Sequence, residues 1–457
     1  MGLSFDGVPL ETSEDCLSVN VFTPTKALRD RNSKLPVMLW FQGGAFVQLF
    51  NPRYNGTGLI AAADEDAIIV TFNYRVGPYG FLASEELAKE GSLNVGLHDQ
   101  RKAIEWTHKY ISKFGGDPDQ INLFGTSVGG GSILLHTLQT DENDKFWKNG
   151  IAAAPYIPTS YSVSELKPQY DDFLSKANCT DLQCLRAFPI DDIQKANYRT
   201  ALNGTEEYFR PLFPYGLTID NDLIKDLPLN SLDKGDFSRR HNLIIGTSNS
   251  EGTLFSRRLN TTSEVNRFIK AQFPLLVDGD LAKAQELYAD VPRTEPGVEV
   301  KLTPQFLRTA KIYGDILFSG PAVQFAKALS RVGSEVYFFR DNIRDAVEVS
   351  IGMLVPHTWE VQAIWGPEYA HQYVANATAD SYNGTNPNSR IVPIVQGLWT
   401  DFARFGKFRK SSVKWDSYNE SGKRLRLQTN CTALEGFPAR DVERWDFWKS
   451  ISNRTRI

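Results

Sequence analysis

The chain alternates short apolar runs with amphipathic stretches. Leu17 to Phe22 alternates apolar and polar residues and reads as a strand that Pro24 ends. Val37-Met38-Leu39-Trp40-Phe41, Ala67 to Phe72, Ile121 to Phe124, Gly150 to Ala154, His241 to Gly246 and Glu335 to Arg340 are continuously apolar or nearly so. Runs of that kind belong to strands covered on both faces. Between them lie helical patterns. Asn94 to Phe114 puts Ala103, Trp106, Tyr110, Ile111 and Phe114 at 3.6-residue spacing, and Gly115-Gly116 stops it. Residues 262 to 332 are mostly helical, a helix spans 390–405, and an aromatic tail (Trp445, Phe447, Trp448) closes the chain. Strands alternating with helices predict an α/β fold with a mainly parallel sheet, and 155–240 reads as an insertion packed over it.

One of these strands runs into unusual punctuation. Ile121-Asn122-Leu123-Phe124 is followed by Gly125-Thr126-Ser127-Val128-Gly129 and then by the helix start Ile133-Leu134-Leu135-His136. G-x-S-x-G between a strand and a helix is the context in which strained backbone lifts a serine hydroxyl out of the top of a sheet. The pentapeptide alone is also compatible with an ordinary glycine loop. A second glycine turn, Gln42-Gly43-Gly44-Ala45-Phe46, ends the Val37 strand. Its unpaired N–H groups could hold an oxyanion, although Gly-Gly alone is more often a tight turn.

A nucleophilic serine needs a base and an acid that orients the base. In chain order the sequence offers Ser127, then Glu251 just beyond a buried strand, then His357 beyond the next strong strand. There are 6 histidines. His98, His108, His136, His241 and His371, taken singly, read as structural or exposed, and so would His357 and Glu251. It is the combined order that carries weight.

Composition narrows the rest. The 457 residues are 41% hydrophobic and 23% charged with formal net charge −4. No basic block suggests nucleic acid, and no apolar run reaches membrane-spanning length. No H-E-x-x-H, ligand-spaced Cys/His cluster or phosphate loop is present, so no metal or cofactor is expected. N-x-[ST] sequons stand at Asn55, Asn178, Asn203, Asn260, Asn376, Asn383, Asn419, Asn430 and Asn453. Of the 4 cysteines, Cys179 and Cys184 suit a short-loop disulfide, leaving Cys16 and Cys431 either paired together or with Cys16 lacking a partner. Both features point to a secreted protein. The first residues nevertheless lack the basic and apolar regions of a signal peptide, which implies truncation or an upstream start.

The chain resembles the type-B carboxylesterase/lipase family, the cholinesterase-like α/β hydrolases, and within it the secreted fungal carboxylesterases. The resemblance rests on Glu14-Asp15-Cys16-Leu17-Ser18-Val19-Asn20-Val21, Gln42-Gly43-Gly44-Ala45-Phe46, Asn73-Tyr74-Arg75-Val76-Gly77 and Asn94-Val95-Gly96-Leu97-His98-Asp99-Gln100. It continues through Phe114-Gly115-Gly116-Asp117-Pro118, the serine turn, Ser250-Glu251-Gly252-Thr253 and Pro356-His357-Thr358, essentially the whole chain. It implies one α/β-hydrolase domain over 1–457, with cap-type insertions at about 155–240 and 255–332. It also implies Ser127 as nucleophile, Glu251 as acid, His357 as base, and the N–H groups of Gly44, Ala45 and Val128 as oxyanion donors. The substrate would be a small-molecule ester, and Cys179–Cys184 matches a family disulfide.

Five departures qualify this. Ala45 stands where the family has a third glycine, and Val128 where it commonly has alanine, which narrows the acyl pocket. Thr126 replaces a glutamate, removing a negative charge beside the serine and weakening the case for cationic choline esters. Ala154 or Pro155 replaces a small polar residue behind the acid. The family's N-terminal strands are absent, predicting an exposed edge and an incomplete entrance. The alternatives are a non-catalytic binding or adhesion protein on the same scaffold, and acyl transfer or lactone chemistry by the same triad.

Overall fold

The computed structural model describes residues 2–3, 9–10, 13–49, 54–140, 142–200, 211–369, 381–409 and 413–457. Asn203, His371 and Asn376 lie outside the described residues. The main sheet contains β1 (Val19–Phe22), β2 (Leu35–Phe41), β3 (Ile68–Phe72), β4 (Gly116–Thr126), β5 (Asn149–Ala153), β6 (Asn242–Ser248), β7 (Val336–Asp341), β8 (Arg424–Leu427) and β9 (Ala433–Glu435). Its spatial order is β9-β8-β7-β6-β5-β4-β2-β3-β1. From β8 across to β3 every neighbouring pair is parallel. The edge strands β1 and β9 are antiparallel to their neighbours.

The apolar runs explain why this sheet is central. Side chains alternate between its faces, so each run feeds two cores. Val37, Leu39, Phe41, Ile121, Leu123, Leu243, Ile245 and Phe338 fall in one. Met38, Trp40, Phe124, Ile151, Ile244 and Phe339 fall in the other. The first core is covered by α1 (Val95–Tyr110), α2 (Val128–His136), α3 (Phe306–Gly314) and α4 (Gly320–Arg331). The second is covered by α5 (Val392–Phe405), through Val395, Leu398, Trp399 and Phe402. The aromatic tail is a helix, α6 (Ala439–Ser450), whose Trp445 and Trp448 join the first core.

One local expectation changes, and two further features add to the pattern. The buried stripe of α1 is Leu97, Gln100, Ala103, Ile104 and Thr107. Trp106, Tyr110 and Phe114 are half-buried and pack on one another at its flank. The pair β8–β9 escaped the hydrophobic pattern because arginine occupies alternate positions in β8. Arg424 and Arg340 both donate to Glu435, at 2.8 and 2.7 Å, so charge pairing ties this edge to β7. His241 precedes β6 and is fully buried, its Nε2 2.5 Å from Asp144 Oδ1 and its ring stacked on Trp147.

Cys179 and Cys184 form a disulfide, while Cys16 and Cys431 are free thiols. Asn55, Asn178, Asn260, Asn430 and Asn453 are exposed and Asn383 is half-buried. Asn419 differs, because its Nδ2 donates to the carbonyls of Ser330 and Ser334 at 3.2 and 2.9 Å, and its Oδ1 accepts the Val336 N–H at 3.1 Å. Among the described residues no helix is long and apolar enough to cross a membrane, and no His/Cys/Asp/Glu group is arranged to hold a metal.

Candidate active site

The carboxyl ends of β2, β4, β6 and β7 lie along one edge of the sheet, where open parallel sheets hold their ligands. β4 ends at Thr126, α2 begins at Val128, and Ser127 between them has φ 59° and ψ −132°. A positive φ is strained for a residue with a β-carbon and persists only when its surroundings impose it. Here they do. The Ser127 N–H donates to Ala153 O at 3.1 Å, and the Ser127 carbonyl accepts from Tyr156 and Gly131 at 3.0 and 2.8 Å. The two flanking glycines are sterically required. A β-carbon at Gly129 would sit 2.0 Å from the Phe41 carbonyl oxygen, and one at Gly125 would sit 2.6 Å from it.

Glu251 opens a short 3-10 turn just after β6. The Ser248 N–H donates to its Oε1 at 2.6 Å, and its Oε2 lies 2.5 Å from His357 Nδ1. The loop carrying His357 is tied to the loop carrying Glu251 by Ser250 N–H donating to Val355 O at 3.0 Å. Both side chains are buried. Loss of solvent pushes the Glu251 carboxyl up to about 8 and the His357 imidazole down to about 4. His357 Nε2 is buried and makes no hydrogen bond among the described residues. The rings of Phe318 and Phe255 flank the imidazole, with centroids at 4.6 and 5.3 Å. Phe213 and Tyr156 extend this aromatic wall. Among the described residues neither Ala154 nor Pro155 hydrogen-bonds to Glu251, whose side-chain hydrogen bonds are those to Ser248 and His357.

The turn after β2 presses against the serine, since a β-carbon at Gly43 would lie 3.0 Å from Ser127 Cβ. Gly44, Ala45 and Phe46 all have positive φ, at 115°, 53° and 60°. The Gly44 carbonyl accepts from Val47 and Gln48 at 2.9 and 3.1 Å, whereas the N–H groups of Gly44 and Ala45 enter none of the loop's backbone hydrogen bonds. The Val128 N–H belongs to the first turn of α2, where helix donors lack internal partners and negative charge is favoured.

One participant was not foreseen. Thr126 Oγ1 donates at 2.7 Å to Oε1 of Glu360, which is 1% exposed. A carboxyl therefore does stand beside the serine turn, supplied by the histidine loop instead of by position 126. Burial, and then the nearby Glu251, push it up to about 7. Asp341, at the end of β7, is fully buried as well and is driven well above the carboxylate range by desolvation and by Glu360. The signal in the sequence was slight: a glutamate three residues after His357.

The carboxylesterase family model matches residues 3–445 of the chain. The chain belongs to the carboxylesterase family. It is 31% identical over 349 residues to Lipase 1 of Geotrichum candidum, an alignment covering 71% of this chain and 62% of the relative. It is 29% identical to the "Inactive carboxylesterase-like protein VdtD" of Byssochlamys spectabilis, over 86% of this chain and 70% of that one. Among solved structures, Aspergillus niger EstA superposes with a TM-score of 0.89 at 33% identity, covering 100% of this chain and 88% of EstA. The chain has the α/β-hydrolase architecture, which it shares with EstA. The chain spans about three fifths of the length of the lipases it matches.

Proposed function

We propose that this protein is a secreted serine esterase that hydrolyses carboxylic esters through an acyl-enzyme on Ser127. The observation that carries the reading is the buried Glu251–His357 pair, with Nδ1 engaged at 2.5 Å and Nε2 without a hydrogen bond among the described residues. Glu251 fixes the tautomer and ring orientation, which leaves Nε2 as the acceptor that a serine hydroxyl requires. In the first half-reaction Ser127 Oγ adds to the ester carbonyl as His357 Nε2 takes its proton. Glu251 stabilises the imidazolium formed. The tetrahedral oxyanion is received by the N–H groups of Gly44, Ala45 and Val128, each worth about 3 kcal/mol of barrier. Collapse expels the alcohol, which takes the proton from His357. Water, deprotonated by the same imidazole, then attacks the acyl carbonyl and releases the acid and Ser127.

The wall of Phe213, Phe255, Phe318 and Tyr156 favours apolar acyl or alcohol groups. A Glu360 carboxyl held near 7 offers less charge than an ordinary carboxylate, so it adds little to the case for cationic choline esters. Secretion is supported by the Cys179–Cys184 disulfide and by exposed sequons that could carry N-glycans.

The relative described as inactive favours a second reading, a binding protein on the same scaffold. A p-nitrophenyl ester series from short to long acyl chains, with Ser127→Ala in parallel, separates the two. The esterase reading predicts turnover that Ser127→Ala abolishes. Equal turnover by both proteins would refute it, and absence of turnover across the series would favour the binding protein.

A further inference from the structure

The proposed oxyanion donors come from two separate pieces of chain: the turn leaving β2 and the first turn of α2. Their N–H groups converge on one point only if the two pieces hold a fixed relation. A buried polar cluster spans them. Tyr74, 1% exposed, donates its hydroxyl to the Gln42 carbonyl at 2.9 Å, one peptide before Gly43. The Gln100 side chain lies beside this hydroxyl. Gln100, fully buried on α1, donates through Nε2 to Ser132 Oγ at 3.0 Å, and its Oε1 lies 3.0 Å from His136 Nε2. Ser132 and His136 both sit on α2. Burial drives His136 down to about 3, so the ring is neutral and Nε2 is assigned as the donor to Gln100.

The circuit closes through the backbone. A β-carbon at Gly129 would lie 2.8 Å from the Gln42 carbonyl oxygen, so that oxygen is wedged between the Tyr74 hydroxyl and the first turn of α2. The far end of the turn is held from the same segment as Tyr74, by Gly77 N–H donating to Phe46 O at 2.6 Å. Ala45 and Phe46 keep positive φ without glycine's freedom, which requires the surroundings to impose that conformation.

We propose that Tyr74 is a positioning residue for the oxyanion hole. Its hydroxyl sets the Gln42 carbonyl and so aims the Gly44 and Ala45 N–H groups at the point the Val128 N–H faces. The proposal rests on the oxyanion reading above. Tyr74→Phe keeps the ring in the core and removes only the hydroxyl. The readouts are kcat and KM on a p-nitrophenyl ester, and Ki for an alkyl trifluoromethyl ketone, whose serine adduct carries an oxyanion.

The expected result is a fall in kcat of about tenfold, KM changed less than about twofold, and a Ki raised by the same factor as kcat falls. Gln100→Met removes the polar neighbour of the hydroxyl and shifts kcat and Ki in the same direction by a smaller factor. It supplies the comparison if Tyr74→Phe does not fold. Wild-type kcat and Ki in both variants, with only the thermal midpoint lowered, would mean the cluster merely satisfies the core and would overturn the proposal. A wild-type enzyme indifferent to the ketone would instead refute the oxyanion reading beneath it.

Discussion

Replacing Glu360 by glutamine should make the protein's stability less sensitive to pH. Glu360 is 1% exposed, its Oε1 accepts from Thr126, and its Oε2 has no hydrogen-bond partner among the described residues. Burial and the neighbouring Glu251 raise it from an ordinary 4.5 to about 7, against the pull of the Thr126 hydrogen bond. Below its ordinary value, folded and unfolded chains both keep the proton and the site costs nothing in this respect. As pH rises through the window between the two values, the unfolded chain ionises while the folded chain keeps its proton. Stability is therefore lost across that window and then levels off. At about 1.4 kcal/mol per unit, a rise from 4.5 to about 7 corresponds to about 3 kcal/mol. Glutamine retains an oxygen to accept from Thr126 and cannot ionise. In urea unfolding followed by tryptophan fluorescence, Glu360→Gln should lie within about 1 kcal/mol of wild type near pH 5, and about 3 kcal/mol above it near pH 8. A stability difference that does not change with pH would refute the reasoning, because Glu360 would then be ionised in the folded protein at no cost.

Further predictions follow from the same geometry. For kcat/KM of the wild-type enzyme, rising pH should increase activity along one ionisation limb, because His357 accepts a proton only after the Glu251–His357 pair has released one; the midpoint belongs to the pair and should lie between about 4 and about 8. A falling limb in that window would contradict the assignment. Gly129→Ala places a β-carbon 2.0 Å from the Phe41 carbonyl oxygen; it should cost about 3 kcal/mol or more and abolish turnover, read from thermal unfolding and activity together. Peptide mapping after glycosidase treatment in heavy-oxygen water should find Asn55, Asn178 and Asn260 modified and Asn419 unmodified, since the Asn419 amide nitrogen is engaged with two backbone carbonyls. A glycan on Asn419 would show that those contacts are dispensable.

The central sheet was legible because fully covered strands must be largely apolar on both faces: β2 follows that rule throughout, and β3, β5 and β6 depart from it only at Thr71, Asn149, Asn242, Thr247 and Ser248. The serine turn was legible because its steric demands are local: Gly125 and Gly129 answer to the same Phe41 carbonyl. Glu251 and His357 were legible because each follows the end of a strong strand. What escaped depends on partners distant in sequence. Glu360 meets Thr126 across 234 positions, and nothing in either neighbourhood announces the contact. Phe318 reaches His357 from a π-helical segment, Asp315–Ser319, that a 3.6-residue period does not register. The buried stripe of α1 was partly misread for a related reason. Periodicity favours aromatic residues as core, whereas polar Gln100 and Thr107 take those places with their hydrogen bonds satisfied, and Trp106 and Tyr110 lie aside.

The most direct test of the proposed chemistry is rapid-mixing hydrolysis of a p-nitrophenyl ester, combined with mass mapping of the protein after reaction with a fluorophosphonate. The mechanism predicts a burst of p-nitrophenol equal to the enzyme present wherever deacylation is the slower step, and one phosphonyl adduct, on Ser127, that blocks all turnover. An adduct on another residue, or full turnover by protein already modified on Ser127, would contradict it.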